Sequence, residues 1–331
     1  MILLHIFWNP RERRLRMLWR LLGQLVVLML LTVALTVFAM IVTGLSSYAV
    51  GEALFDTEVF SASASLMLTG TLVTTAAALA SVWVAGRLLD RRPFAGFGFH
   101  LSCMWWQDLA FGLVLGALLM TAVFLVEWAA GWITLSGFFR TESSGEPFVL
   151  AFLTPLLLFI CVGIYEETLM RGYLLRNLSE GLHLSWMGRR GAILAAWLIS
   201  SIIFGVLHAV NPNASWMSTF NLVVAGLFLG LGYVLTGELA LPIGLHITWN
   251  LFQGNVYGFP VSGVAFNRTT VIAVVQGGPD WVTGGAFGPE AGLIGLLATL
   301  LGGALTVVWV RRRRGMLTFD PSLAQPPQRE G

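Results

Sequence analysis

Long apolar runs separated by short polar breaks dominate the chain. The stretch from Leu21 to Leu45 carries no charged side chain. A helix needs about 20 apolar residues to cross the hydrocarbon core of a bilayer, whereas a barrel strand needs about ten in alternation. The runs here are continuous, so they predict helices. Eight are expected, over Leu21–Leu45, Ala62–Arg87, Leu109–Ile133, Phe148–Leu175, Ala192–Val210, Thr219–Thr236, Leu239–Tyr257 and Leu293–Val310.

Composition strengthens this picture. The 331 residues are 56% hydrophobic and 11% charged, against about 25% charged in a soluble domain. Mean hydropathy is +0.79. Such a chain cannot hide its apolar surface in a water-soluble core, so it is expected to be an integral membrane protein. The fold class it predicts is all-α, a polytopic transmembrane helix bundle of about eight spans. The arginines before the first run precede an apolar stretch longer than a cleavable signal core, which reads as a signal anchor.

Charge sets the expected orientation. All 19 basic residues are arginine. An even span count puts both termini on one side. That side would carry 17 of the arginines: Arg11, Arg13, Arg14, Arg16, Arg20, Arg87, Arg91, Arg92, Arg171, Arg176, Arg189, Arg190, Arg311 to Arg314 and Arg329. Only Arg140 and Arg268 fall on the other. The positive-inside rule then places both termini in the cytoplasm. Because these arginines orient the protein, the basic balance does not argue for nucleic acid. The chain divides into a basic N-terminal segment (1–20), a membrane domain (21–310, with its motifs in 150–290) and a basic, disordered tail (311–331). The Gly-rich stretch 258–289 reads as a long loop that covers a cavity or dips into the membrane. Cys103 and Cys161 lie in or beside apolar runs and give no disulfide framework.

Some polar residues do not fit an ordinary span. GIYEETLMRGYLL places Glu166, Glu167 and Arg171 within six residues. Each costs about 2.5–3.5 kcal/mol at the centre of a spanning helix. Glu167 and Arg171 share a face at i, i+4 and can pair. Glu166 is turned about 100° away, which leaves it free to work. Taken alone, these groups could mark a span boundary, with Arg171 and Arg176 snorkelling to the headgroups. The fifth run, however, ends FGVLHAVNPN with His208, and the seventh holds His246 and Asn250 at i, i+4. Carboxylates, imidazoles and an amide on three spans predict an intramembrane polar cavity. A carboxylate there can take and return a proton, and imidazole and amide donors can stabilise an oxyanion. Direct activation of water by the carboxylate is the favoured chemistry. The H-E-x-x-H pattern of zinc proteases is missing, and a zinc site of Glu166, His208 and His246 is the alternative.

The three motifs, EETLMR, FGVLH and HITWN, occur in this order in apolar segments. They resemble the CPBP family (CAAX proteases and bacteriocin-processing enzymes, or Abi), which includes the type II CAAX prenyl proteases. The resemblance covers about Leu150 to Glu290. It implies an intramembrane endopeptidase in which Glu166 activates water with His208 as partner, and His246 and Asn250 hold the oxyanion. Glu167, Arg171 and Phe204 would support the site. The family has long been described as metalloendopeptidases; the resemblance favours a glutamate-dependent mechanism that needs no cofactor. The implied substrate is a hydrophobic or lipidated peptide or membrane protein. Two other readings use the same residues: a proton-coupled transporter, and a non-catalytic membrane scaffold. Proton relays also bury Glu, His and Arg, but no inverted repeat is evident.

Overall fold

A computed structural model describes residues 6–10, 12–44, 64–141, 147–266 and 269–327. His5, Arg11, Arg268, Arg329 and the expected span ends Leu45 and Ala62 lie outside the described residues. Helices dominate: α1 (Met17–Thr43), α2 (Ala64–Ala85, with a π turn Gly86–Asp90), α3 (Cys103–Ala129), α4 (Phe148–Gly181), α5 (Gly188–Leu207, with a 3-10 turn His208–Val210), α6 (Trp216–Thr236), α7 (Ala240–Leu251, with a π turn Phe252–Val256) and α8 (Leu293–Arg314). The chain is a polytopic helical bundle and an integral membrane protein.

Local chemistry sets several ends. Ser102 caps α3 by accepting from the Trp105 amide, and Ser215 with Ser218 forms a capping box on α6. Gly44 and Gly237 end α1 and α6 in the left-handed conformation (φ 68° and 71°), where a Cβ would be strained. Within α4 the geometry changes from α to π over Thr168–Leu175 and returns to α over Arg176–Gly181.

Two groups of loops mark opposite ends of the bundle. At one end, Arg92 donates to Glu180 and to the Gln325 carbonyl, the Leu239 amide donates to Gly98, and the Asp320 amide donates to Val234. At the other, β3 (Ile133–Arg140) pairs antiparallel with β4 (Thr270–Gln276), Asn211 donates to the Ser262 carbonyl, and Asn221 donates to Gly292. Successive helices therefore alternate in direction. The basic end carries the N-terminal β1–β2 hairpin (Trp8–Asn9 with Arg14–Leu15) and the C-terminal tail.

Several expectations change. Among the described residues, seven helices are long and apolar enough to cross a membrane. The expected span Leu239–Tyr257 is α7, which is shorter and packed against α3, α4 and α6. A helix enclosed by its neighbours need not match the bilayer thickness. The third span ends at Ala129, before β3, and the 258–289 loop contains β4. The α4 helix continues past its expected end at Leu175 to Gly181, whereas α5 with its 3-10 turn ends at the expected Val210. Within the described part of the tail, whose composition suggests disorder, the 3-10 turn Pro321–Ala324 buries Leu323 and Ala324.

Glycines let α7 approach its neighbours. A Cβ on Gly244 would run into the Leu109 carbonyl of α3, and one on Gly112 into the Leu241 carbonyl of α7. Close backbone approach through small residues is the usual device for packing helices in lipid. It seats His246 and Asn250, one turn apart on α7, against α4 and α6.

Candidate active site

The site grows from the paired carboxylates of α4. Arg171 Nη1 donates to Glu167 Oε1 at 2.9 Å, across one helical turn, with both side chains buried. Arg171 Nη2 donates to the Gly226 carbonyl of α6 at 3.1 Å, and its guanidinium lies 4.6 Å from the centre of the Phe204 ring on α5. His246 Nδ1 of α7 donates to the same Glu167 oxygen at 2.8 Å. Four helices thus meet at one ion pair, and Arg171 does not snorkel. The π segment begins at the residue after Glu167; such segments are frequent at functional sites.

Glu166 differs. Its side chain is 21% exposed, whereas that of Glu167 is 0% exposed. The Tyr165 hydroxyl donates to Glu166 Oε1 at 3.2 Å, and Glu166 Oε2 stands 3.9 Å from His246 Nε2. The ~100° turn between neighbours on a helix separates a buried structural carboxylate from one that faces a cavity.

His208 sits in the turn that ends α5. Its Nδ1 lies 2.8 Å from the Phe204 carbonyl, which can only accept, so Nδ1 carries the hydrogen. In the neutral ring Nε2 is then an acceptor. On His246, Nδ1 is engaged by Glu167, and Nε2 faces Glu166; both nitrogens donate only in the imidazolium form.

A cavity of about 200 Å³ gathers Glu166, His208, His246 and Asn250, with Phe204 in its wall. Glu167 and Arg171 lie behind it, joined to His246. Glu166, well inside α4, and His208, at the end of α5, reach this one space despite the depth difference their places in the chain suggest. Tyr165, Asn211, Ser262 and Glu290 also line it. Sequence reasoning did not select these four. Asn211 follows His208 within HAVNPN, and Glu290 is the acid of GPE at the end of the Gly-rich stretch; their polarity beside apolar runs was the available signal. Ser262 and Glu290 come from segments whose approach depends on tertiary structure.

The outer wall is a clamped loop. Glu290 accepts from the Ser262 backbone amide and from its hydroxyl, the latter at 2.7 Å. Gln253 Nε2 donates to the Pro260 carbonyl at 2.6 Å, and Asn211 Nδ2 donates to the Ser262 carbonyl at 2.9 Å. Burial pushes the Glu290 carboxyl above the usual carboxylate range, against the pull of the Ser262 donors. Among the described residues, no three or more His, Cys, Asp or Glu side chains are grouped to hold a metal ion.

Fold and site together define a class: a polytopic helical membrane protein that encloses acid, imidazole and amide groups in one cavity. Residues 148–252 match the family model of the Rce1-like type II CAAX prenyl endopeptidases, which bears out the resemblance over the stretch that holds all three motifs. At the family level this match points to a CAAX-protease-type enzyme. The chain is also 26% identical over 214 residues to the uncharacterized protein YyaK of Bacillus subtilis (strain 168), covering 62% of this chain and 65% of that protein. No solved structure matches.

Proposed function

We propose that the protein is an intramembrane endopeptidase that cleaves a peptide bond in a hydrophobic or lipidated peptide or membrane protein. Glu166 takes the proton of the attacking water, and His208 orients that water through Nε2. Asn250, and His246 as imidazolium, donate to the oxyanion that forms on the scissile carbonyl. Glu166 then returns the proton to the leaving amine. Glu167 and Arg171 hold the His246 ring by its Nδ1 side. The carboxylate itself activates water, so the reading assigns no step to a metal or cofactor. The single observation that supports it is the convergence of Glu166, His208, His246 and Asn250 from three helices on one cavity. We also propose an inner-membrane location in a bacterium with both termini cytoplasmic. Arg171 is buried at the site and drops out of the charge count, but the remaining asymmetry still favours that orientation.

The test compares cleavage of a hydrophobic reporter peptide by the purified protein and its variants. Glu166→Gln should lose about a hundredfold to ten-thousandfold in turnover, and Asn250→Ala about a hundredfold to a thousandfold. Equal cleavage by wild type and Glu166→Gln would overturn the reading.

A further inference from the structure

The cavity is not placed symmetrically between the two ends of the bundle. Every loop residue in its wall belongs to the end that carries the β3–β4 hairpin: Asn211 before α6, Ser262, Val264 and Phe266 after α7, and Glu290 before α8. Among the helical wall residues, Leu222 and Ala225 lie in the first half of α6 and Thr299 in the first third of α8, helices that start at this end, and Phe204 and His208 are where α5 finishes there; Phe228, Leu229, Leu245 and His246 come from the middle of α6 and α7. None of the wall comes from the basic-end loops.

Beneath the cavity the route is blocked. The Glu167–Arg171–His246 group forms a floor. Past it, toward the basic end, lies a packed core that includes Leu175, Ile193, Tyr233, Leu239, Ile243 and Val310. Fully buried side chains of that kind leave no path for a peptide. The loop wall of the cavity therefore lies on the side of the bundle away from the arginine-rich end.

We infer that the site is entered from the extracytoplasmic face, and that its substrate is an exported peptide or the outward segment of a membrane protein. A lipidated tail displayed in the cytoplasm does not reach it. That the entrant is a substrate rests on the proposed peptidase function, and that the face is extracytoplasmic rests on the arginine asymmetry. The direction of opening relative to the basic end rests on neither.

Single cysteines on a background with Cys103→Ser and Cys161→Ser report it in the full chain. Ala265→Cys sits in the exposed outer loop, Ser185→Cys in the exposed loop between α4 and α5, and Ala225→Cys in the cavity wall. A small membrane-impermeant thiol reagent is applied to spheroplasts and to inverted vesicles. Ala265→Cys and Ala225→Cys should react in spheroplasts, and Ser185→Cys only in inverted vesicles. Labelling of Ala225→Cys from the Ser185 side, or from neither side, overturns the inference, as does labelling of Ala265→Cys in inverted vesicles alone. The readout needs no turnover. An inactive Glu166 pocket would sink the peptidase reading and leave the sidedness standing, while reversed labelling would do the opposite.

Discussion

Glu166 and Glu167 are adjacent carboxylates with different surroundings, and substitutions should separate them. Glu167→Gln leaves Arg171 buried beside a neutral amide. Breaking a buried pair by removing one partner costs about 3–5 kcal/mol, so denaturation in detergent should show a large loss of stability along with lost activity. Glu166→Gln removes a partly exposed carboxylate without stranding a cation. It should stay close to wild type in stability while turnover collapses. Equal destabilisation by the two variants would contradict the division of labour. The i, i+4 face of Glu167 and Arg171 was legible in the sequence because helix geometry fixes it. The bond from His246 to Glu167 was not, since their separation along the chain gives no hint of contact. Glu290 was hidden for the same reason, and it supplies a pH test. Burial raises its carboxyl, so the folded state favours the neutral acid. The stability this contributes is fully present below the ordinary carboxylate value and is lost as pH rises through the raised one. The gap in thermal midpoint between Glu290→Gln and wild type should therefore shift in favour of the variant as pH climbs from acid to neutral. A gap that shifts the other way would contradict the raised carboxyl.

Helices reach the site through close contact, and α7 depends on it most. Gly244→Ala puts a methyl group against the Leu109 carbonyl of α3. Backbone cannot yield as a flexible side chain would, so the overpacking should cost about 1–3 kcal/mol and lower activity by displacing His246 and Asn250. Gly303→Ala on α8 is the contrast: its Cβ would meet Leu231 and Phe228 at 3.9 and 4.0 Å, ordinary van der Waals distances. That variant should unfold at or above the wild-type midpoint, since alanine favours helix. Parallel losses in both variants would refute the close-approach argument. Most helices could be read from the sequence because each needs a long apolar run to satisfy its backbone in lipid. The β3–β4 pair could not. ITLSGFFR follows an apolar run with too little alternation to stand out, and its partner β4 lies 130 residues farther along. The π segments also escape a reading based on hydropathy, because α and π turns bury the same kinds of side chain.

Across the molecule, the two ends differ in how they are held. The end with the β3–β4 hairpin gathers the cavity wall, while the basic end is tied by Glu180, which accepts from Arg14 at 2.7 Å, Arg20 at 3.1 Å and Arg92 at 2.5 Å. Asp90 adds a bond from Arg20 at 2.6 Å and one from the Tyr173 hydroxyl at 2.8 Å. The tail closes over this cluster. Arg176 donates to the Ser322 carbonyl at 3.0 Å, Arg92 to the Gln325 carbonyl at 3.1 Å, and Leu323 is fully buried. The tail's polar composition hid this role, because its attachment uses backbone carbonyls that every residue carries. Deleting residues 319–331 exposes the Leu323 pocket and takes an acceptor from each of two buried arginines. Losing the leucine alone should cost about 1.5–3 kcal/mol, so the unfolding midpoint of the purified protein should fall. Protein that remains folded should keep its cleavage of the reporter peptide, since the tail and the cavity lie at opposite ends. An unchanged midpoint would mean the tail does not brace the bundle. Lost turnover in folded, tail-less protein would mean that the two ends are coupled through α4, the helix that carries both Glu166 and Glu180.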